Sequence, residues 1–433
     1  MIHLFYNLLL LILLPFILPY FIYRVAIGKE SANSLREKMG FIKSPPPSGG
    51  GIWVHAVSVG ETNVSIPLID TLLREYKDKT ITFSASTSTG MGLALSKLKR
   101  QVDENPGRLN IIHFPYDFPF AVKASLRHID PSTFIFFETE IWPNFLHQCR
   151  NRGVATVLVN GRISDRSMTR YMKARIFIAP YISSITLLLM QSQKDLEKIV
   201  KLGARPETVK VCGNMKFDQS LQKVHSRDEI RREFQIPLDV PVIIYSSTHS
   251  GEDRPLLEAF LRLREKINAL FAIIAPRHPN RADEISDICK TVGIYPARRS
   301  NREKPDTLLL LDTIGELGNL YGATDIAVIG GSFIPHGGQN PLEASSWKIP
   351  VLFGPHMDNF RTITPQLIDA GAAFETADIK ELETEIERLL KDEPERRRAG
   401  LAGFETILNN RGALKNSFIE ISRLIRLKES AER

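Results

Sequence analysis

Cysteine is scarce in this chain. Cys149, Cys212 and Cys289 are the only three in 433 residues, and no two lie close together. That excludes a disulfide framework and a zinc ribbon, and it fits a reducing compartment. Several catalytic signatures are missing too. There is no HExxH pair, no GxxxxGK[ST] loop, no GxSxG elbow and no DxD pair. Zinc peptidases, P-loop NTPases and α/β-hydrolases therefore lack their marks here. Acid is in short supply relative to base: 49 Asp and Glu stand against 56 Lys and Arg, a formal net charge of +7. A modest basic excess suits an anionic membrane surface or a phosphorylated substrate, and equally an ordinary basic surface.

What is present begins with one apolar run. Leu4 to Tyr23 reads LFYNLLLLILLPFILPYFIY and contains no charge. Twenty helical residues reach about 30 Å, the thickness of a bilayer core. No Lys or Arg precedes the run and no small-residue cleavage site follows it, as a signal peptide would require. Arg24, Lys29, Arg36 and Lys38 follow instead, and such residues stay cytoplasmic. The expectation is an uncleaved anchor over residues 1–24, N-terminus outside, with the body in the cytoplasm. Pro15 and Pro19 would kink a spanning helix, which leaves an interfacial or buried hairpin as the other reading.

Residues 25–51 form a basic segment ending in KSPPPSGGG, a linker composition. Beyond it, short apolar runs alternate with longer mixed segments. The runs IWVHAVSV, TITFSAST, LNIIHFPY, STFIFFET, VATVLVNG, SSITLLLMQ and TVKVCG read as strands, with helices between them. Strands apolar throughout imply a parallel sheet covered on both faces. The alternation lapses between Asp218 and Pro241, then restarts with VIIYSST, LFAIIAP, GIYPAR, TLLLLDT, DIAVIGG and IPVLFG. The fold class is therefore α/β: two doubly wound, Rossmann-like domains over 52–220 and 221–433, facing a cleft in which a ligand binds beyond the strand ends.

Polar motifs follow the strands. In the first domain SVGET, TSTGMG, PYDFP, ETEIWPN and NGRISDR should share one rim of the sheet. Glu138 and Glu140 are either site carboxylates or a pair favoured by a helix N-terminus. Gly60 is expected to make the turn that sets Glu61 at a helix start. Arg162, Arg166, Arg170 and Lys173 form one basic stripe if helical, suited to phosphates or an anionic membrane or simply to solvent. In the second domain Gly315 ahead of a helix, and Gly330–Gly331 behind a strand, could offer backbone N–H groups to a phosphate. Arg277 could clamp that phosphate, and Glu343 suits a ribose diol. The pattern is a nucleotide site without a metal-binding acid pair.

These residues resemble the 3-deoxy-D-manno-octulosonic acid (Kdo) transferases of bacterial lipopolysaccharide synthesis, inverting glycosyltransferases of GT-B architecture. The resemblance rests on the N-terminal apolar run, HAVSVGET, FETEIWPN, KFD, STHSGED, APRHP, IGEL, GGQNPLE and FGPHMDNF, in order from Ile2 to about Gly412. It implies CMP-Kdo as donor, a lipid A precursor (lipid IVA) as acceptor, no cofactor, no metal and no nucleic-acid partner, at the cytoplasmic face of the inner membrane. By resemblance Glu61 is the catalytic base, and Glu138 and Lys216 stabilise the transition state. Pro276, Arg277, Ile314, Gly315, Glu316, Asn340, Pro341, Leu342 and Glu343 hold the CMP. Two rival readings are a related enzyme using a uridine nucleotide sugar and a non-catalytic nucleotide-binding membrane protein. A helix N-terminus should depress the pKa of Glu61, so it is expected to become a good base only when bound donor and lipid desolvate it.

Overall fold

The strands form where Val, Ile, Leu and Phe leave no polar face, so that both sides of each sheet need cover. The computed structural model describes residues 2–28, 30–43, 46–47, 49–219 and 225–432. Positions 44, 45 and 48 of the expected linker, and the expected domain boundary at 220–221, lie outside the described residues. The chain divides into two units, Met1–Gln219 with Arg411–Arg433, and Ser220–Asn410.

The first unit holds seven strands: β1 (Gly51–Ala56), β2 (Ile81–Ala85), β3 (Leu109–His113), β4 (Pro131–Phe137), β5 (Ala155–Gly161), β6 (Leu187–Met190) and β7 (Val209–Val211). Their order is β3-β2-β1-β4-β5-β6-β7, and every pair is parallel. Side chains alternate across the sheet. Ile52, Val54 and Ala56 enter one core with Leu68, Ile69 and Leu72. Trp53 enters the other with Phe134, Phe136 and Phe145. His55 is wholly buried on the Trp53 side, stacked on Phe114 at 3.7 Å with Nδ1 3.0 Å from Ser84 Oγ. Burial pushes its pKa down to about 3, so it serves as a neutral core ring.

The second unit repeats the plan with β8 (Val242–Thr248), β9 (Phe271–Pro276), β10 (Ala297–Arg298), β11 (Leu308–Leu310), β12 (Ile326–Ile329), β13 (Val351–Phe353) and β14 (Ala373–Glu375). The order is β10-β11-β9-β8-β12-β13-β14, again all parallel. Of GIYPAR only Ala297 and Arg298 pair, and β14 is a strand the sequence reading did not find.

Two expectations change. Residues 411–433, assigned from sequence to the second domain, belong to the first unit. Helix Ala413–Glu432 sets Ala413, Ile421 and Ile425 into the core beneath β1. The Asp218 carboxylate accepts the N–H groups of Gly412 and Leu414, each at 2.7 Å, and pins the start of that helix. At the other end of the chain, helix Ile2–Ala26 is bent by 42° between its segments His3–Ile17 and Pro19–Ala26. Pro15 and Pro19 account for the bend, because each removes a backbone donor. Among the described residues no single helix is long and apolar enough to cross a membrane, although the bent pair His3–Ile17 and Pro19–Ala26 together has the length and composition to do so. A helix Ala32–Lys38 also occupies the basic segment that reads as linker.

Candidate active site

In the first unit β1 lies between β2 and β4, so chain connections leave it in opposite directions. The carboxyl ends of such a strand pair frame the natural ligand crevice of an open sheet. Glu61 follows β1 and Glu138 follows β4, which brings both to this point. Helix Val59–Glu75 starts at the N-cap Ser58. Ser58 Oγ accepts the Glu61 N–H at 3.3 Å and donates to Glu61 Oε1 at 2.9 Å. The Val57 N–H donates to Oε2 at 2.9 Å. This is a capping box shifted by one residue, and it fixes the side chain locally. Gly60 does not make the turn: it lies inside the helix and has no positive φ.

Glu61 is only 8% exposed. Burial pushes its pKa up to about 7; the Val57 and Ser58 hydrogen bonds oppose this, and the charges of Glu138 and Glu140 add to it. Desolvation thus already outweighs the helix N-terminus with no ligand bound, contrary to the expectation that substrate must first close over it. Glu140 is likewise pushed up, by burial and then by Glu138.

Glu138 sits in the left-handed region at φ 53°. A glutamate there is strained. Its carboxylate accepts from Arg162 Nε at 3.3 Å. Arg162 therefore leaves the expected basic stripe. It precedes helix Asp165–Lys173, whose Arg166, Arg170 and Lys173 are exposed. Lys216 rides the short helix Met215–Gln219, held by Asn160 Oδ1 to the Met215 N–H and by Asn214 Oδ1 to its own N–H, each at 3.0 Å. Burial lowers its pKa, and Glu138 and Glu61 favour its charged form. Glu61, Glu138, Glu140, Arg162 and Lys216 thus form one electrostatic group.

In the second unit Pro276 and Arg277 lie at the end of β9, and Ile314, Gly315 and Glu316 follow β11, its neighbour. Arg277 is exposed, with its N–H bonded to Thr248 O at 2.9 Å. Ile314 is 87% exposed, and Gly315 at φ +91° has open space before it. The Glu316 side chain is engaged by Arg299 at 2.7 Å and by Thr313, and Arg299 holds its pKa below the usual range. Asn340 Oδ1 accepts the Leu342 N–H at 3.1 Å, its Nδ2 donates to Glu343 at 3.3 Å, and Pro341 and Leu342 are buried. These nine residues occupy the carboxyl-end side of one parallel sheet.

The Gly330–Gly331 expectation fails. The Gly330 N–H goes to Ser246 O at 2.7 Å. Those of Gly331, Ser332 and Phe333 all go to the carboxylate of Glu252, at 2.7, 3.1 and 3.0 Å. No free N–H in that run of four remains for a phosphate. The glycine is needed for packing, since a Cβ on Gly330 would stand 2.5 Å from Ser247 O. Among the described residues no group of three or more His, Cys, Asp or Glu could hold a metal ion.

Residues 33–219 match the family model of 3-deoxy-D-manno-octulosonic-acid transferase (kdotransferase). A 3-deoxy-D-manno-octulosonic acid transferase of Haemophilus influenzae is 35% identical over 427 residues, 95% of this chain and 96% of the relative. The chain belongs to this family. The transferase of the same name from Bordetella pertussis is 33% identical, over 78% of this chain and 79% of its own. In fold, the chain matches a glycosyltransferase of Rickettsia africae at a TM-score of 0.56, 14% identity, 88% of this chain and 98% of that one. The protein is thus an enzyme, a glycosyltransferase that moves Kdo in lipopolysaccharide biosynthesis.

Three features of this Kdo transferase escape a reading of the sequence. The pairing of Arg162 with Glu138 joins loops 24 residues apart and leaves no local pattern. Ser58 was visible in SVGET as a cap, three residues ahead of Glu61, which is the one signal that could have found it. A histidine cluster is the third. The His249 ring lies 3.9 Å from that of His336 and 6.1 Å from that of His278. Burial and these neighbours, with Arg277 and Arg281, push His249 down to about 4. They come from the loops after β12, β9 and β8, which only the sheet order brings together.

Proposed function

We propose that this Kdo transferase takes Kdo from CMP-Kdo and joins it, with inversion, to a hydroxyl of a lipid A precursor such as lipid IVA, without a metal, at the cytoplasmic face of the inner membrane. The observation that carries this reading is Glu61: a buried carboxylate, pKa about 7, beside Glu138 and Lys216 at the crevice of the first sheet. A group poised near the working pH is what general base catalysis needs.

Glu61 takes the proton of the acceptor hydroxyl. The hydroxyl oxygen forms a bond to the anomeric carbon of Kdo as the bond from that carbon to the CMP phosphate oxygen breaks. The electron pair leaves with CMP. Lys216 and Arg162 supply positive charge near the reacting groups, and Glu138 orients them and balances the charge that develops at the sugar. Arg277 meets the phosphate, Gly315 allows the ligand to approach the backbone, and Glu343 accepts from the ribose. Because Glu316 is held by Arg299, its part in this reading is through the backbone, or by holding the loop, rather than through a free carboxylate. The rim of the second sheet supports a nucleotide by position and exposure.

The test is incubation of the full chain in membranes with CMP-Kdo and a lipid A precursor, reading product mass. The expected result is acceptor carrying added Kdo. Transfer from a uridine nucleotide sugar and none from CMP-Kdo would overturn the donor assignment. Binding of CMP without transfer to any lipid A precursor would overturn the acceptor and the mechanism.

A further inference from the structure

Helix Ile2–Ala26 has an inner and an outer stripe. His3, Tyr6, Leu10, Leu14, Ile17 and Phe21 recur every three or four residues and are half-buried against the first unit. Leu4, Leu8, Ile12, Phe16, Tyr20 and Tyr23 recur in the same way on the other side and are exposed, from 54% to 76%. A helix docked on a protein in water presents polar residues outward. This one presents leucine and aromatics along its whole length, which calls for an apolar cover.

Both ends of the helix meet the same body. Near the start, His3 Nδ1 lies 3.2 Å from the Tyr181 hydroxyl, and its ring stacks on His147 at 3.9 Å. The Tyr6 hydroxyl donates to Asp117 at 3.0 Å, a carboxylate also held by the Asn144 and Phe145 N–H groups. Near the end, Phe21 stacks on Tyr116 at 4.2 Å, and Arg24 lies 3.8 Å from Glu30. Tyr6 and Phe21, about 22 Å apart along a helix, thus grip adjacent residues of one loop. A helix crossing a bilayer would carry one end some 30 Å from the body that holds the other.

The apolar surface continues past the helix. Phe5 lies 6.2 Å from Phe177, and Ile176 and Phe177 are 77% and 49% exposed on helix Arg175–Ile182. Beside them Arg166, Arg170, Lys173 and Arg175 are exposed. Apolar side chains bordered by cations complement an anionic lipid leaflet and bind it in the plane of the interface.

We infer that the N-terminal helix is a monotopic anchor: with Ile176 and Phe177 it lies in the plane of an anionic leaflet, rimmed by Arg166, Arg170, Lys173 and Arg175, and keeps the N-terminus on the catalytic side. This rests on the membrane location proposed above, and it replaces the spanning, N-terminus-outside orientation expected from the sequence. The two fail differently in experiment. Full-length protein tagged at either end is expressed in bacterial cells, and spheroplasts are exposed to external protease before and after lysis. Both tags should survive in intact spheroplasts, sediment with membranes, and be cut only after lysis. Loss of the N-terminal tag from intact spheroplasts, with the protein still in membranes, would overturn the inference alone. Recovery in the supernatant would overturn the membrane reading and the inference together. In flotation, the full chain should bind vesicles of phosphatidylglycerol and phosphatidylcholine more tightly than phosphatidylcholine alone. Arg166→Glu and Arg170→Glu should each weaken binding to the anionic vesicles by about fivefold. Undiminished binding by the double variant would overturn the basic rim.

Discussion

Glu61 and Glu252 hold matching places in two sheets wound alike. Each follows the first strand of its sheet, where that strand separates the two directions of winding, and each is nearly closed to solvent, at 8% and 1% exposed. Their surroundings differ. Glu252 accepts four backbone N–H groups, from His249, Gly331, Ser332 and Phe333, and so ties the loop after β8 to the loop after β12. Glu61 accepts one N–H and one hydroxyl, and faces Glu138 and Glu140. A buried carboxylate with its lone pairs filled is a structural clamp. One left short of donors, beside like charge, keeps an appetite for a proton. The same fold position thus yields a brace in one unit and, in the other, the carboxylate proposed as base, by the number of donors supplied.

Substitution tests this contrast most sharply. Glu61→Gln should lower kcat by about 10²–10⁴-fold while leaving CMP-Kdo affinity intact and costing no more than about 1 kcal/mol of folding stability. Near wild-type turnover would remove Glu61 from its role. Glu252→Gln should do the reverse: its amide nitrogen would face two buried N–H groups, which costs about 3 kcal/mol or more in denaturant unfolding of the second unit. A variant as stable as the parent would dissolve the distinction.

Smaller effects follow with pH. As a base Glu61 must be ionised, so kcat/KM should fall about tenfold per pH unit below about 7 and level off above it. Stability runs the other way. The folded pKa lies above the ordinary value of 4.5, so the contribution of this carboxyl is full below 4.5 and lost as pH rises through about 7. Unfolding of the parent compared with Glu61→Gln across that window should show the difference. A flat comparison would mean the carboxyl is not desolvated. The smallest expected change is none: dialysis against EDTA should leave turnover unaltered, and a loss restored by a divalent cation would overturn metal independence.

Much of the architecture was legible because parallel strands buried on both faces must be apolar throughout. Runs such as IWVHAVSV and VIIYSST announce β1 and β8 without ambiguity. β14 was not legible, since Ala373–Glu375 is too short to carry a pattern. Nor was the home of residues 411–433, because an amphipathic helix shows that it needs a partner, not which one. Of the candidate site, Glu61, Glu138 and Lys216 were named by motif, and the structure places them in one electrostatic group. The pKa of Glu61 was not, since the helix N-terminus is local in sequence while the burial that outweighs it comes from the whole sheet. The Gly330–Gly331 reading failed for a related reason. Glycines declare where a backbone can come close, but not that Glu252, 79 residues earlier than Gly331, has already taken the N–H groups.

The return of residues 411–433 to the first unit has a consequence for synthesis. A ribosome completes Met1–Gln219 first, yet Ala413, Ile421 and Ile425 of the core beneath β1 and helix Val59–Glu75 are translated almost last. Throughout translation of Ser220–Asn410 the earlier unit waits with an open apolar face, and Asp218 waits for the N–H groups of Gly412 and Leu414. The core of Met1–Gln219 therefore stays unsealed until residues 411–433 have been made, so removing that helix should destabilise the half that carries Glu61 rather than the half that precedes it in the chain.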